Sequence, residues 1–168
     1  PDKGDLALSL MEKAKAKGES GWLFDLTYPS YVPFMKYIKD RDLRKELYMA
    51  YNTKAVNGEL DNKPVIKELV NTRLTLANLL GHKEYASYVL SRRMAEDKEH
   101  VYDLLDKLLN AYKNCATNEV LEVQKIANSQ GANFDIMTWD WSFYADKLKD
   151  AKYGINDELL KPYFELEN

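Results

Sequence analysis

The chain has 168 residues, which is about the length of one domain with a real apolar core. Its 24 Lys plus Arg are balanced by 27 Asp plus Glu, so a net charge of -3 argues against a nucleic-acid partner, for which a basic surface is typical. No run of about 18 apolar residues occurs, and the N-terminus lacks the basic start and apolar run of a signal peptide, so the pattern indicates a soluble chain without a membrane partner.

Cys115 is the single cysteine of the chain. It excludes an internal disulfide and fits a reducing compartment, so a cytoplasmic location is expected. Its place in an apolar helical repeat predicts a buried, inert thiol rather than a nucleophile, since no basic partner for a catalytic thiol can be named.

The first part of the chain is predicted to be helical, because only 7 Gly and 5 Pro interrupt it. Residues 5–17 carry helix formers, with Gly18 as a C-terminal stop. The run GWLFDL could form one short strand near residues 22–26. Ser30 is predicted to cap the next helix, SYVPFMKYIK, with Pro33 in its first turn.

Three further helices are predicted in the middle of the chain. One runs from Asp42 to about Ala55, with Leu43, Leu47 and Ala50 or Tyr51 on one face. The next is capped by Asp61 or Asn62 and ends at Gly81. Its apolar face is so wide that a central position is expected; the face comprises Val65, Ile66, Leu69, Val70, Thr72, Leu76, Ala77, Leu79 and Leu80. A third helix follows the GHK turn, with Tyr85, Tyr88 and Val89 inward, and should form an antiparallel hairpin with the second.

A long helix is predicted from about Lys98 to Ser129. Its apolar positions step by four and three residues through Val101, Leu105, Leu108, Tyr112 and Cys115, and then shift to Ala116, Val120, Val123 and Ala127. The fold class is therefore all-α: an antiparallel helical array with one long central helix, forming a single helical segment over residues 1–168.

The motifs of common catalytic sites are missing from the sequence. Zinc hydrolases place two histidines four residues apart on one helix, whereas His82 and His100 each lack a second His nearby and are predicted to be solvated. No G-x-S-x-G elbow, P-loop or G-x-G-x-x-G fingerprint occurs. No catalytic, cofactor-binding or metal-binding residue is therefore predicted in this chain.

The charged clusters have structural explanations. The pairs Asp146/Asp150 and Glu96/Asp97 resemble solvated helix faces interleaved with Lys. In the run SRRMAEDKEH, a helix C-terminus favours the arginines and the following N-terminus favours Asp97 and Glu99. Twelve tyrosines could form a wall that binds peptides, but their helical spacing favours core or half-buried packing.

Several blocks of sequence carry a resemblance to a known family. They are WLFDLTYPSY, RDLRKELYMAY, DNKPVIKELVNTRLTLANLLGHKEYASYVLSRRMA, WDWSFYADKLK and KPYFEL, and they cover Trp22 to the C-terminus. These blocks resemble sequences of the thimet-oligopeptidase family of zinc metallopeptidases, and they occur in the same order as in that family. The characteristic places of that family are occupied by Asn62, Arg73, Ala77, Leu80, Gly81, Tyr85, Ala86, Met94 and Ala95. Trp139-Asp140-Trp141 and KPYFEL are more similar to its peptidyl-dipeptidase (dipeptidyl carboxypeptidase) branch than to the thimet and neurolysin branch.

The resemblance implies a zinc peptidase whose active site lies elsewhere. Family members carry an HExxH helix and a further Glu ligand downstream of KPYFEL, so the zinc region is expected beyond Asn168. No catalytic residue can be carried over, and the chain is expected to be an internal, inactive segment of a two-lobed parent. The parent would bind one zinc, admit short peptides to a channel and release C-terminal dipeptides.

The aromatic C-terminal stretch is explained by the same expectation. It is predicted to pack the end of the long helix against the missing catalytic part of the parent, through Trp139, Trp141, Phe143, Tyr144, Tyr153, Tyr163 and Phe164. Short helices near 140–152 and 156–161 would hold these rings, the second capped by Asn156. The alternative is an independent helical module that binds proteins or peptides without enzymatic activity; the continuation of the gene discriminates the two.

Overall fold

The computed structural model describes residues 4–154 and 163, without the side chains of residues 4–6. Seven α-helices follow one another: α1 (Gly4–Ala16), α2 (Tyr28–Tyr37), α3 (Arg41–Asn52), α4 (Lys63–Leu79), α5 (Tyr85–Leu90), α6 (Lys98–Ser129) and α7 (Thr138–Tyr153). A 3₁₀ turn, Gly58–Leu60, precedes α4. The all-α prediction is confirmed for this part of the chain.

The predicted strand near residues 22–26 is wrong, because the structure has irregular extended backbone there. The amide of Leu23 donates to the carbonyl of Leu10, so this backbone is held by a helix rather than by a second strand. Ser30 is not a cap either: α2 begins two residues earlier, with Thr27 as its N-cap. Pro29 fits the first turn of α2, whereas Pro33 lies further inside the helix and not in its first turn as predicted. Ser30 is buried, and its hydroxyl accepts a hydrogen bond from the Asp25 amide at 2.9 Å.

The predicted ends of α1, α4 and α6 are confirmed, whereas α3 ends at Asn52 rather than near Ala55. Gly18 and Gly81 have φ of 75° and 82°, in the left-handed region that glycine adopts easily, just past α1 and α4. The α6 helix has the predicted limits and a length of about 48 Å over its 32 residues. The Asp97 carboxylate accepts a hydrogen bond of 2.9 Å from the His100 amide. This bond satisfies one of the backbone donors in the first turn of α6 that have no partner within the helix. This hydrogen bond is the largest cause of the lowered pKa of Asp97.

The chain divides into two compact units. The first unit comprises residues 1–52 and 120–168, and the second unit comprises residues 53–119. In the described part of the first unit, α2, α3 and α7 pack against one another. Its apolar core brings Val123 and Ala127 of α6 against Phe143 and Tyr144 of α7, with partly buried neighbours Ile126, Ala132, Phe134, Ile136, Ala145 and Leu148.

The second unit contains α4, α5 and the first two thirds of α6. The α4 and α5 helices pack against each other, and Ala77 is the one fully buried apolar residue among 53–119. The expectation that α4 is central is wrong for this chain, because its large apolar side chains are 42–80% exposed: Val65, Ile66, Leu69, Val70, Leu74, Leu76 and Leu79. A wide apolar face indicates burial only if something covers it, and these residues remain uncovered here.

Candidate functional site

The most elaborate polar arrangement in the first unit is built around Asp140. Its carboxylate is fully buried in the first turn of α7. Arg41 donates to it from Nε at 3.0 and 3.1 Å and from Nη2 at 2.9 Å, while Arg44 donates from Nη2 at 2.8 Å. The Met137 amide adds a bond of 3.0 Å, so Asp140 also satisfies a backbone donor at the start of α7. We call Asp140, Arg41 and Arg44 the ion cluster.

Arg44 is as deeply buried as its partner, at 1% exposure. Its Nη1 donates to the carbonyls of Ile38 and Lys39 at 2.8 and 3.0 Å, and its Nε donates to the Trp139 carbonyl at 3.3 Å. These carbonyls lie near the end of α2 and the start of α7. The guanidinium therefore cross-links three helices and leaves little of its donor capacity unused.

The ionised form of Asp140 is favoured inside the protein. Burial by itself would raise the pKa of the carboxyl group, but the hydrogen bonds from Arg41, Arg44 and the Met137 amide outweigh it, and the pKa of Asp140 is lowered from its usual 3.8. Asp140 is thus ionised at neutral pH and pairs with two cations, and it is not a general acid or base suited to neutral pH.

Aromatic rings enclose the ion cluster. Arg41 lies over the Phe134 ring at 4.0 Å, and Arg44 lies over Phe143 at 4.4 Å. Trp139 meets Tyr48 edge-on at 6.0 Å, and its indole Nε1 is the one buried side-chain polar atom without a hydrogen-bond partner in the described residues. Cation–π contacts of this kind stabilise a cation that has been removed from water.

The aromatic prediction is therefore corrected in part. Phe143 and Tyr144 belong to the core of the first unit, and Trp139 packs inside the same unit. Three other rings are exposed, as the predicted contact with the rest of the parent requires: Trp141, Tyr153 and Tyr163. Phe164 and the predicted helix near 156–161, with its Asn156 cap, lie outside the described residues. Seven of the twelve tyrosines are buried or half-buried, in agreement with the packing prediction.

The candidate metal and thiol residues are dispersed. His82 lies near the Tyr88 ring at 5.5 Å, and His100 pairs with the Asp97 carboxylate through Nδ1 at 2.8 Å. No group of three His, Cys, Asp or Glu side chains that could hold a metal ion occurs in the described residues. These residues do not fit a zinc site, which needs at least three such ligands.

Cys115 is exposed on α6, so the predicted burial of its thiol is wrong. Its Sγ lies 3.7 Å from a carboxylate oxygen of Glu119, one turn further along the helix. The nearest charged group given for the thiol is thus a carboxylate, whereas reactive cysteines lie in electropositive surroundings.

Tyr85 and Tyr88, two of the twelve tyrosines, lie together in the second unit. Their ring centroids are 6.0 Å apart, and Arg73 and Arg92 lie over the rings of Tyr85 and Tyr88 at 5.2 and 5.5 Å. Both rings are half-buried and engaged within the unit. The contact of Arg73 with Tyr85 joins α4 to α5, and the two helices pack against each other.

Sequence reasoning missed the ion cluster. Arg41 and Arg44 were assigned no role, and Leu43 was placed on the shared apolar face of α3. Leu43 is 47% exposed, whereas Arg44 is buried. The available signal was an Asp at the third position of a helix inside an aromatic run, together with two arginines one turn apart. However, no local sequence pattern links Arg44 to Asp140, because the two residues are 96 positions apart.

The described structure is an all-helical polypeptide with a buried ion cluster. No described helix combines the length and apolar character required to cross a membrane. The model of Peptidase family M3 matches residues 34–168. The chain therefore belongs to Peptidase family M3.

Curated relatives agree with this assignment. The chain is 40% identical to the organellar oligopeptidase A, chloroplastic/mitochondrial, of Arabidopsis thaliana, over 90% of the chain and 19% of that protein. It is 38% identical to oligopeptidase A of Haemophilus influenzae and 31% identical to dipeptidyl carboxypeptidase of Escherichia coli, covering 91% and 92% of the chain and 23% of each relative. The chain thus spans about a fifth of the length of these relatives.

Proposed function

We propose that this chain is a non-catalytic helical part of a zinc peptidase that hydrolyses short peptides. The observation that carries the proposal is the match to Peptidase family M3 over residues 34–168, by a chain that spans about a fifth of its curated relatives. A segment of that length can serve as a helical scaffold. The catalytic residues would then lie in the remaining four fifths of the parent protein.

The zinc ligands belong, in this proposal, to the remainder of the parent. His82 and His100 are the two histidines of the sequence, and neither stands in an HExxH motif. No step of peptide hydrolysis is therefore assigned to a residue of this chain. Its contribution is to hold helices in place, and the ion cluster that joins the end of α2, the start of α3 and the start of α7 is suited to that role.

Short peptides are the substrate class that we assign to the parent. Three features support this assignment: the family match, the names of the oligopeptidase A relatives, and the resemblance of the sequence blocks to peptidases with a restricted channel. A channel wall built of helices would exclude folded proteins by its width. The second unit, whose helices have exposed apolar faces, is the part of this chain that would contribute to such a wall.

Release of C-terminal dipeptides is the finer activity. It is supported by the relative named dipeptidyl carboxypeptidase, at 31% identity, while relatives named oligopeptidase A reach 36–40%. The two activities differ in whether a free C-terminal carboxylate is required. Digestion of a matched peptide pair, one with a free carboxylate and one amidated, followed by mass spectrometry, distinguishes them. Dipeptide release predicts cleavage of the free acid alone.

The experiment that tests the proposal compares the parent with the 168-residue chain. We expect the parent to contain one zinc per molecule and to hydrolyse a short fluorogenic peptide, with activity lost to a chelator and restored by zinc. The 168-residue chain should contain no stoichiometric zinc and show no turnover. Chelator-sensitive turnover by the 168-residue chain, or a parent without peptidase activity, would refute the proposal.

A cytoplasmic location for the parent is a further part of the proposal. It rests on Cys115, the single cysteine of the sequence, which cannot form a disulfide within this chain and fits a reducing compartment. Fractionation of the source cells, followed by activity measurement, tests it; recovery of the parent in an oxidising compartment would contradict it.

A further inference from the structure

One side of α6 carries an apolar row, most of which is uncovered within the second unit. The row steps by four and three residues, as in a helix that packs along a partner helix. It consists of Val101, Leu105, Leu108, Tyr112 and Cys115, flanked by Leu104. We call these six residues the α6 row.

All members of the α6 row except Val101, which is half-buried, are exposed. Leu104, Leu105, Leu108 and Tyr112 are 58%, 50%, 42% and 63% exposed, and Cys115 is exposed as well. Single exposed apolar residues are ordinary, but a continuous exposed row along about three turns of one helix marks an interaction surface.

The opposite side of the same helix has a different composition. Asp103, Asp106, Asn110 and Thr117 lie there by helical spacing, and they suit contact with water. The α6 helix is thus amphipathic between residues 101 and 117. Most of the stability of such a helix in a protein comes from packing of its apolar face rather than from intrinsic propensity.

The row resembles, in spacing and chemistry, the covered part of the same helix. Val123 and Ala127 are apolar residues four positions apart, and both are buried against Phe143 and Tyr144. Where α7 supplies a partner surface, α6 buries its apolar side chains, and where the chain supplies none, they stay exposed. The missing element is therefore a second apolar surface along residues 101–115.

We infer that the α6 row docks against another part of the same parent polypeptide, through an apolar surface, most simply a helix face. The inference relies on the proposed parent for the existence of that polypeptide. The chain spans about a fifth of the curated relatives, so most of the protein that could cover the row lies outside it. The docking surface ends at Glu119, which follows Cys115 by one helical turn on the same side of α6. A carboxylate at this position disfavours contact with an apolar partner.

Cys115 provides a built-in reporter for this docking, because it is the single cysteine of the 168 residues and lies on the row. The matched control is Asn110→Cys, on the opposite side of the same helix. Both thiols are reacted with a maleimide in the native full-length parent, and each modified peptide is quantified by mass spectrometry. The unfolded parent in guanidinium gives the intrinsic rate of each thiol.

Docking predicts that Cys115 reacts roughly a hundredfold more slowly in the native parent than in the unfolded parent, because modification must wait for local opening. The Asn110→Cys thiol should differ between the two states by less than about tenfold. Equal protection of the two thiols would overturn the inference. Protection of Cys115 that appears only at concentrations where the parent doubles in mass would also overturn it, in favour of a second copy as the occupant.

Peptidase activity of the same preparation separates this inference from the proposed function. A protected Cys115 in a parent without peptidase activity supports the docking and refutes the function. A reactive Cys115 in an active peptidase refutes the docking alone.

Discussion

The two units of the chain bury their side chains to very different extents. In the first unit, Asp140 and Arg44 are fully buried with their charges paired, and Phe143 and Tyr144 close an apolar core. In the second unit, α4 and the first part of α6 also carry many apolar side chains, but most of the large ones are exposed. The difference teaches that helical periodicity alone does not produce a core. A core also requires the polypeptide that covers the apolar face.

The largest expected effect is that of Asp140→Ala. Removing the carboxylate leaves Arg44 buried without a counter-charge, and we expect the free energy of unfolding of the first unit to fall by about 3–5 kcal/mol. Urea denaturation followed by circular dichroism measures it.

The matched control for this variant is Asp146→Ala. Asp146 pairs with Lys36 at 2.9 Å, but both side chains are partly exposed, so the loss should be below about 1 kcal/mol. Equal losses for the two variants would show that burial of the ion cluster has no special role.

Phe143→Ala should also destabilise the first unit strongly. The ring is 7% exposed and contacts both the Tyr144 ring and the Arg44 guanidinium, so its removal leaves a cavity and costs about 3–5 kcal/mol. The midpoint of urea denaturation reports this cost. A loss below about 1 kcal/mol would mean that the core of the first unit is not packed as described.

Acid should weaken the first unit through Asp140. The pKa of this carboxyl is lowered in the folded protein, so its contribution to stability is complete above the usual value of 3.8 and is lost as pH falls towards the lowered folded value. Urea denaturation of the wild type and of Asp140→Asn, repeated from pH 6 downwards, measures the contribution. We expect the difference between the two proteins to shrink as the pH falls.

Asp25 is a second source of acid sensitivity and must be separated from Asp140. The pKa of Asp25 is lowered to about 2, mainly by the hydroxyl and amide of Thr27 and also by Lys13. Because Asp25 is present in both proteins, its contribution cancels in the difference. A difference that stays constant down to pH 2 would contradict the role of Asp140.

Leu108→Ala has the smallest expected effect in the 168-residue chain. The side chain is 42% exposed on the α6 row, so its truncation should change the free energy of unfolding by less than about 0.5 kcal/mol. In the parent, where we infer a covering surface, the same change should cost about 2–3 kcal/mol. Thermal denaturation of the 168-residue chain and of the parent, each with and without the substitution, measures the two losses. Equally small losses in the two proteins would show that the α6 row is not covered in the parent.

Much of the helical framework could be predicted from the sequence. The limits of α6, the stops at Gly18 and Gly81 and the start of α4 after Asn62 follow from local rules of periodicity and capping. Ser30 was misjudged because two residues, Thr27 and Ser30, could each begin the helix, and Pro29 favoured the earlier start.

Burial and long-range pairing could not be predicted in the same way. The pairing of Arg44 with Asp140 joins residues far apart in the chain, so no local pattern encodes it. The exposure of Cys115 and of the α4 face was misjudged for a different reason. Periodicity identifies which face is apolar, but only the rest of the fold determines whether that face is covered.

Hydrogen exchange of backbone amides tests the contrast between the two units most directly. In the 168-residue chain we expect slow exchange for residues 123–127 and 143–148, and much faster exchange for residues 66–76 and 104–112. In the full-length parent all four segments should exchange slowly. Equal protection of the four segments in the 168-residue chain would contradict the account, because the second unit would then be stable without any covering surface.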